Sequence, residues 1–233
     1  MLKIAFQGEL GAYSHIASKE LFPDAKITTC STFEETFKLA HEDSSYKVVI
    51  PIENSLAGRV ADIHYLLPKY KLQIYGEHFQ RVEHNLLSIK SANLSDIKFV
   101  RSHAQAIGQC QNLIIENKFK TIISADTAGS AKDLSENNDK SIAAIASDLS
   151  AEIYNLKILK KNIEDEKGNV TRFLIMGKNI QQPTYDSNKK FITSCIFRLK
   201  SIPSALYKCL GGFATNQINM TKLESFSVKN TFD

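Results

Sequence analysis

Cysteines are few and far apart in this chain. Cys30, Cys110, Cys195 and Cys209 form no C-x-x-C pair, which argues against both a disulfide framework and a zinc site. Reduced, mostly buried thiols are the expectation. No apolar run reaches the roughly 18 residues that a bilayer-crossing helix needs, and Met1 to Phe6 leads straight into a strand pattern in place of a signal peptide. Membrane insertion is therefore not expected, and a cytoplasmic protein is. A basic run of nucleic-acid type is also missing, because 29 Lys and Arg against 25 Asp and Glu are spread along the chain for a net charge of +4. The tightest clusters, Lys160-Lys161 and Lys189-Lys190, fall at expected surface connections. His15, His41, His64, His78 and His84 show no metal-ligand spacing, so no metal centre is expected.

What is present has the make-up of a globular protein, with 43% apolar and 23% charged residues over 233 positions. That is enough for one two-lobed domain, or one domain and a fragment. Up to about residue 151, short β-rich runs alternate with helical periods, the pattern of an α/β fold with parallel strands. Strands are expected at residues 2–6, 26–30, 48–52, 97–100, 121–124 and 142–146, and helices at 14–21, after Ser55, at 102–117 and near 127–134. Ser31 and Glu34 read as a capping box for the helix that carries Phe33, Phe37 and Ala40 on one face. Two β-rich runs meet around residues 76–81 with no helix between them, which places a lobe boundary there. A strand at 169–176 is expected to return to the first lobe, giving two crossings and a cleft between lobes. Gln181-Gln182-Pro183 marks a linker. Beyond it, residues 191–199, 203–213 and 218–228 read as a β-α-β unit, too short to close a sheet by itself; either the chain is truncated at Asp233 or a partner completes the sheet.

Four polar segments fall at strand ends or helix starts, where backbone amides and the helix dipole favour anions. They are Gly8-Glu9-Leu10-Gly11-Ala12-Tyr13-Ser14, Pro51-Ile52-Glu53-Asn54-Ser55-Leu56-Ala57-Gly58, Ser102-His103-Ala104-Gln105 and Asp126-Thr127-Ala128-Gly129-Ser130-Ala131. In open α/β sheets such segments converge on a ligand outside the carboxyl ends of the strands. Each is equally a capped turn: Ser14 as an N-cap, Asn54-Ser55 as an N-cap, His103 as a surface or capping residue. The first segment is neither a Walker loop nor a G-x-G-x-x-G fingerprint. Arg172 interrupts the apolar run Val170 to Ile175. It reads either as a charge snorkelling from an edge strand or as a guanidinium aimed at a carboxylate in the cleft.

Taken together the segments resemble the prephenate dehydratase family. Gly-x-x-Gly-x-x-Ser at 8–14, Pro-Ile-Glu-Asn-Ser at 51–55, His-x-Gln followed by Gln-Cys at 103–110, Asp-Thr-Ala-x-Ser-Ala at 126–131 and Thr-Arg-Phe at 171–173 all occur, in family order. The resemblance implies a catalytic domain over 1–180 with the two-lobed fold of type II periplasmic binding proteins. One lobe would take in about 1–78 and 160–180, and the other about 79–159. It implies a linker over 181–190 and the start of a ferredoxin-like α+β ACT regulatory domain over 191–233. Ala205 and Leu206 in Pro203-Ser204-Ala205-Leu206, Asn219 in Ile218-Asn219-Met220-Thr221, and Glu224 are then the effector-binding candidates for L-phenylalanine, bound between subunits of a dimer or tetramer. Ser204 replaces the family's glycine and Phe226-Ser227 its Arg-Pro.

The reaction implied is loss of carbon dioxide and a ring hydroxyl from prephenate, which leaves an aromatic ring and needs neither metal nor redox cofactor. Thr171 takes the role of donor to the leaving oxygen by resemblance. Arg172 holds a substrate carboxylate, and Ser14, Asn54, Ser55, His103, Gln105, Thr127, Ala128 and Phe173 line the site. Two other readings fit the same residues. One is an arogenate dehydratase, with Glu53 or Asp126 meeting the amine; the other is a non-catalytic ligand-binding module on the same lobes.

Overall fold

The computed structural model describes residues 1–179 and 184–226, with the backbone alone at 61 and 62. The chain divides into two compact units, Met1–Gln182 and Pro183–Asp233. The expected linker residues Gln181-Gln182-Pro183 and the end of the expected strand at 218–228 lie outside the described residues.

In the first unit, chain order begins β1 (Lys3–Gln7), α1 (Tyr13–Leu21), β2 (Lys26–Cys30), α2 (Phe33–Glu42), β3 (Tyr46–Asn54), β4 (Gly58–Arg59), α3 (Ala61–Tyr70) and β5 (Gln73–Arg81). These elements build the first lobe. The second follows with β6 (Asn85–Ser88), β7 (Phe99–His103), α4 (Ala104–Gly108), α5 (Gln111–Glu116), β8 (Lys120–Ser124), α6 (Thr127–Asn137), β9 (Ile142–Ala146), α7 (Asp148–Ile153) and β10 (Lys157–Lys160). The chain then returns in β11 (Val170–Gly177). One sheet has the order β2-β1-β3-β11-β5, with β4 paired to β3, and the other the order β10-β6-β9-β7-β8. This is the expected two-lobed α/β architecture, with one sheet in each lobe. The crossings are residues 82–84 and 161–169.

The sequence of β3 explains its central place. Val48, Ile50 and Ile52 pack with Phe37, Ala40 and Ile63 on the face under α2 and α3. Val49 packs with Ile4, Ala17, Phe173 and Ile175 on the face under α1. An apolar run without alternation is what a strand covered on both sides requires. β11 is likewise interior, antiparallel to β3 on one side and to β5 on the other, so the edge-strand reading of Arg172 is excluded. Within β11, Thr171 and Phe173 turn to the α1 face and Arg172 and Leu174 to the opposite one.

Several local expectations shift. The N-cap of α2 is Thr32, which accepts from the Glu35 amide, while the Glu35 carboxylate accepts from the Ser31 amide and hydroxyl; the cap lies one residue later than Ser31, and Glu35 reaches past it in place of the expected reciprocal box with Glu34. The helix expected at 102–117 is broken in two between Gly108 and Gln111, because Asp165 of the second crossing accepts from the amides of Gln111 (2.7 Å) and Asn112 (3.1 Å). A distant carboxylate thus starts a new helix. Asn54 caps no helix; its Oδ1 accepts from the amides of Leu56 and Ala57 and turns the chain into β4. α7 and β10 were not anticipated. No described helix is long and apolar enough to cross a membrane.

In the second unit α8 (Ala205–Thr215) forms where a helix was expected. The described residues of the two expected strands do not form them. Two strands with no further partner cannot shield their apolar side chains, and Phe191, Ile192, Ile196, Ile218 and Leu223 are exposed.

The lobes are fastened at the turn after β1. Ser147 and Ser150, at the start of α7, both donate to the Gly11 carbonyl (2.6 and 3.1 Å), and the Tyr154 hydroxyl donates to the Leu10 carbonyl (2.9 Å). Gly11 has φ +92° and a Cβ there would come within 2.8 Å of the Ser150 Cα, whereas Gly58, at φ +79°, faces open space. Gly58→Ala should cost about 1 kcal/mol of backbone strain, and Gly11→Ala about 1–3 kcal/mol more, from overpacking. Thermal unfolding of the two variants side by side checks this. Equal losses would remove the close approach from the account.

Burial pushes the Tyr154 phenol up to about 12, with Glu9, Asp126 and Glu136 adding to it. A phenol raised on folding favours the native state while protonated. Its contribution is therefore fully present below the ordinary value of 10.0 and lost as pH rises through about 12. Tyr154→Phe should be the less stable protein at pH 8, and the gap should close between about pH 10 and 12. Urea unfolding across that range reads it out.

Candidate active site

The carboxyl ends of β1, β3, β7 and β8 carry the polar turns that the sequence singles out, and the return strand β11 begins beside β3. At this junction Thr171 lies opposite Asn54. The Asn54 amide nitrogen donates to Thr171 Oγ1 (2.9 Å) and to Asn169 Oδ1 (2.6 Å). Thr171 is the acceptor, and no acceptor among the described residues takes its own proton. A hydroxyl that receives a hydrogen bond is a better donor, so Thr171 is poised to give its proton toward a ligand. Ser55 closes the junction: its amide donates to the Val170 carbonyl (2.9 Å) and its hydroxyl accepts from the Val170 amide (3.0 Å).

Behind Thr171 a line of side chains runs through both crossings. Asn169 Nδ2 donates to Gln109 Oε1 (2.9 Å), Gln109 Oε1 meets His84 Nε2 (2.9 Å), and His84 Nδ1 lies 3.2 Å from the Tyr13 hydroxyl, which donates to the Glu83 carbonyl (2.5 Å). Asn169 and His84 are almost fully buried. Burial holds the His84 pKa below the ordinary histidine range, against Gln109 and Glu164, which raise it, and burial raises the Tyr13 phenol well above its ordinary value. Gln109 stands in one of the sequence motifs and Asn169 two residues before another, but neither is among the expected site residues, nor is His84. The available signal is that Gln109 belongs to a motif and Asn169 lies two residues before another, where polar groups need partners once buried.

The remaining expected residues divide. Arg172 is held by Glu77 of β5, through Nε at 2.8 Å and Nη2 at 2.7 Å. Its guanidinium therefore faces a carboxylate of the protein, on the sheet face opposite Thr171. Phe173 is 1% exposed in the core of the first lobe, so it anchors the strand and does not line the site. Ser14, in the first turn of α1, is nearly buried. His103 caps α4 by accepting from the Gln105 amide (3.3 Å), with Gln105 exposed. Thr127 and Ala128 open α6 behind the N-cap Asp126, whose carboxylate accepts from the Gly129 amide (2.5 Å); Ala128 is fully buried. These four sit at the ends of the paired strands β7 and β8. No hydrogen bond among the described residues ties them to Thr171. Ala205 and Leu206 begin α8, while Asn219 and Glu224 lie in irregular chain in the second unit. A groove of about 290 Å³ lined by Ile16, Lys19, Glu20, Asp148, Leu149 and Glu152 contains none of the expected site residues.

Residues 4–181 match the family profile "Prephenate dehydratase". Over 229 residues the chain is 42% identical to a bifunctional N-acyl-homoserine lactone acylase/prephenate dehydratase of Komagataeibacter europaeus, covering 98% of this chain and 81% of that protein. It is 38% identical over 224 residues to arogenate dehydratase/prephenate dehydratase 2 of Arabidopsis thaliana, covering 96% of this chain and 58% of the longer plant protein. The prephenate dehydratase of Arthrobacter aurescens, solved in complex with L-Phe, superposes with a TM-score of 0.87 over 99% of this chain and 77% of that one, at 24% identity. That last likeness is one of fold. A profile that takes in both lobes and the return strand, and relatives aligned over nearly the whole length, show that the chain belongs to the prephenate dehydratase family.

Proposed function

We propose that the chain converts prephenate to phenylpyruvate, water and carbon dioxide, with Thr171 as the hydroxyl that assists departure of the ring oxygen. As the carboxyl group leaves as carbon dioxide, its bonding electrons enter the ring and expel the hydroxyl, which takes up a proton to become water. The protein has to supply a donor at that oxygen and hold the acid in place. The observation that carries this reading is the bond from the Asn54 amide to Thr171 Oγ1 at 2.9 Å. It directs the threonine's proton outward, and a donor fixed before reaction stabilises developing charge without reorganising.

Arg172 is proposed as the cation that meets a substrate carboxylate. Because Glu77 holds it, it would share its guanidinium with a substrate carboxylate or release Glu77 on binding. Asp126 is occupied as the N-cap of α6, and Glu53 also has a partner. Prephenate is the proposed substrate, supported by the family profile. The acylase activity in one relative's name belongs to that protein. The four free cysteines fit work in the cytoplasm. Ala205, Leu206, Asn219 and Glu224 are proposed as part of an ACT unit that binds L-phenylalanine between subunits of a dimer or tetramer, supported by the sequence motifs and by α8.

Thr171→Val keeps the shape and removes the donor. It should lower kcat by about 10²–10⁴-fold with KM changed only a few-fold, measured as phenylpyruvate formation from prephenate. Arogenate serves as the competing substrate. A variant with wild-type kcat would refute the role of Thr171, and faster turnover of arogenate would reverse the substrate choice.

A further inference from the structure

We infer that His84 is a positioning residue that, as an Nε2–H donor, completes and holds the hydrogen-bond line ending at Thr171. The inference rests on the dehydratase reading for its kinetic consequence, but the direction of the line follows from the structure alone. An asparagine amide can be turned end for end without changing shape, so its orientation has to come from its partners. At Asn54 two backbone amides decide it, because Leu56 and Ala57 can only donate, at 3.0 and 2.9 Å. The oxygen therefore faces them and the nitrogen faces Thr171 and Asn169.

Every later bond is then determined. Asn169 must present its oxygen to Asn54 and its nitrogen to Gln109, at 2.6 and 2.9 Å. Gln109 must present its oxygen, and the ring nitrogen 2.9 Å from that oxygen, His84 Nε2, must carry a proton. A ring protonated at Nδ1 alone would set two lone pairs against each other in a buried place, where nothing else could satisfy them. At Nδ1 the Tyr13 hydroxyl proton is shared between the ring and the Glu83 carbonyl. The histidine is itself fixed: its amide donates to Glu164 Oε2 (3.0 Å), its carbonyl accepts from the Ile163 amide (2.8 Å), and its ring meets Tyr13 edge-on. With His84 donating, Gln109 keeps its oxygen turned to Asn169, Asn169 keeps its oxygen turned to Asn54, and Thr171 remains an acceptor with its own proton free.

Two measurements test this on the full chain. Nitrogen-15 NMR of histidine-labelled wild-type protein should show the His84 ring protonated at Nε2; a ring protonated only at Nδ1 would overturn the inference. In steady-state kinetics His84→Phe, which fills the space without a donor, should lower kcat about ten- to a hundredfold with little change in KM. His84→Gln, whose amide nitrogen reaches the place of Nε2, should recover most of that loss. Unchanged kcat in the phenylalanine variant, or a folded glutamine variant as impaired as the phenylalanine one, would defeat it. A wild-type chain inactive on prephenate and arogenate alike would defeat the dehydratase reading, and the NMR result would still decide the direction of the line.

Discussion

The insertion of β11 between β3 and β5 is the constraint on which the rest depends. Its pairing on both sides closes the first sheet only after the whole second lobe has been made, and it brings Thr171 beside Asn54, 117 residues earlier in the chain. Phe173, Leu174, Ile175 and Met176, all buried, hold the strand by apolar contact at about 1.5–3 kcal/mol for each large side chain. The polar end of the same strand is thereby fixed where packing alone would not place it. Core and site are two stretches of one element.

That arrangement explains why polar groups run so deep between the lobes. The crossings at 82–84 and 161–169 must pass side by side, and their backbone groups need partners away from water. The carbonyls of His84, Gln109 and Asn169 accept from the amides of Ile163, Asp165 and Val82, and the carboxylates of Asp165 and Glu164 supply others by capping α5 and holding the His84 amide. The side chains of the same residues form the line that runs to Asn54. A substitution in the hinge therefore reaches the threonine without touching a ligand.

The sequence made much of the framework legible, because burial leaves a direct trace in pattern. The apolar run of β3, the strand at 26–30 and the return strand follow from where β-branched and aromatic residues gather, and the strand at 142–146 from an unbroken apolar run. What it hid depends on partners far away in the chain. The break between α4 and α5 comes from Asp165, and β10, whose Lys157 and Lys160 disguise it as surface, exists because β6 lies beside it. The site was legible as motifs, and Thr171, Asn54 and Ser55 do come together. Phe173 and Ala128 belong to the core, and Arg172 answers to Glu77; a motif records which residues matter together and not which way each side chain faces.

The central claim is that Asn54 acts on catalysis by orienting Thr171. A double-mutant cycle in kcat with Asn54→Ala and Thr171→Val tests it most directly, since residues that work as one unit lose their effect together. The account predicts a double variant no slower than Thr171→Val within about threefold. Losses that multiply would show that the two residues act independently and would contradict it.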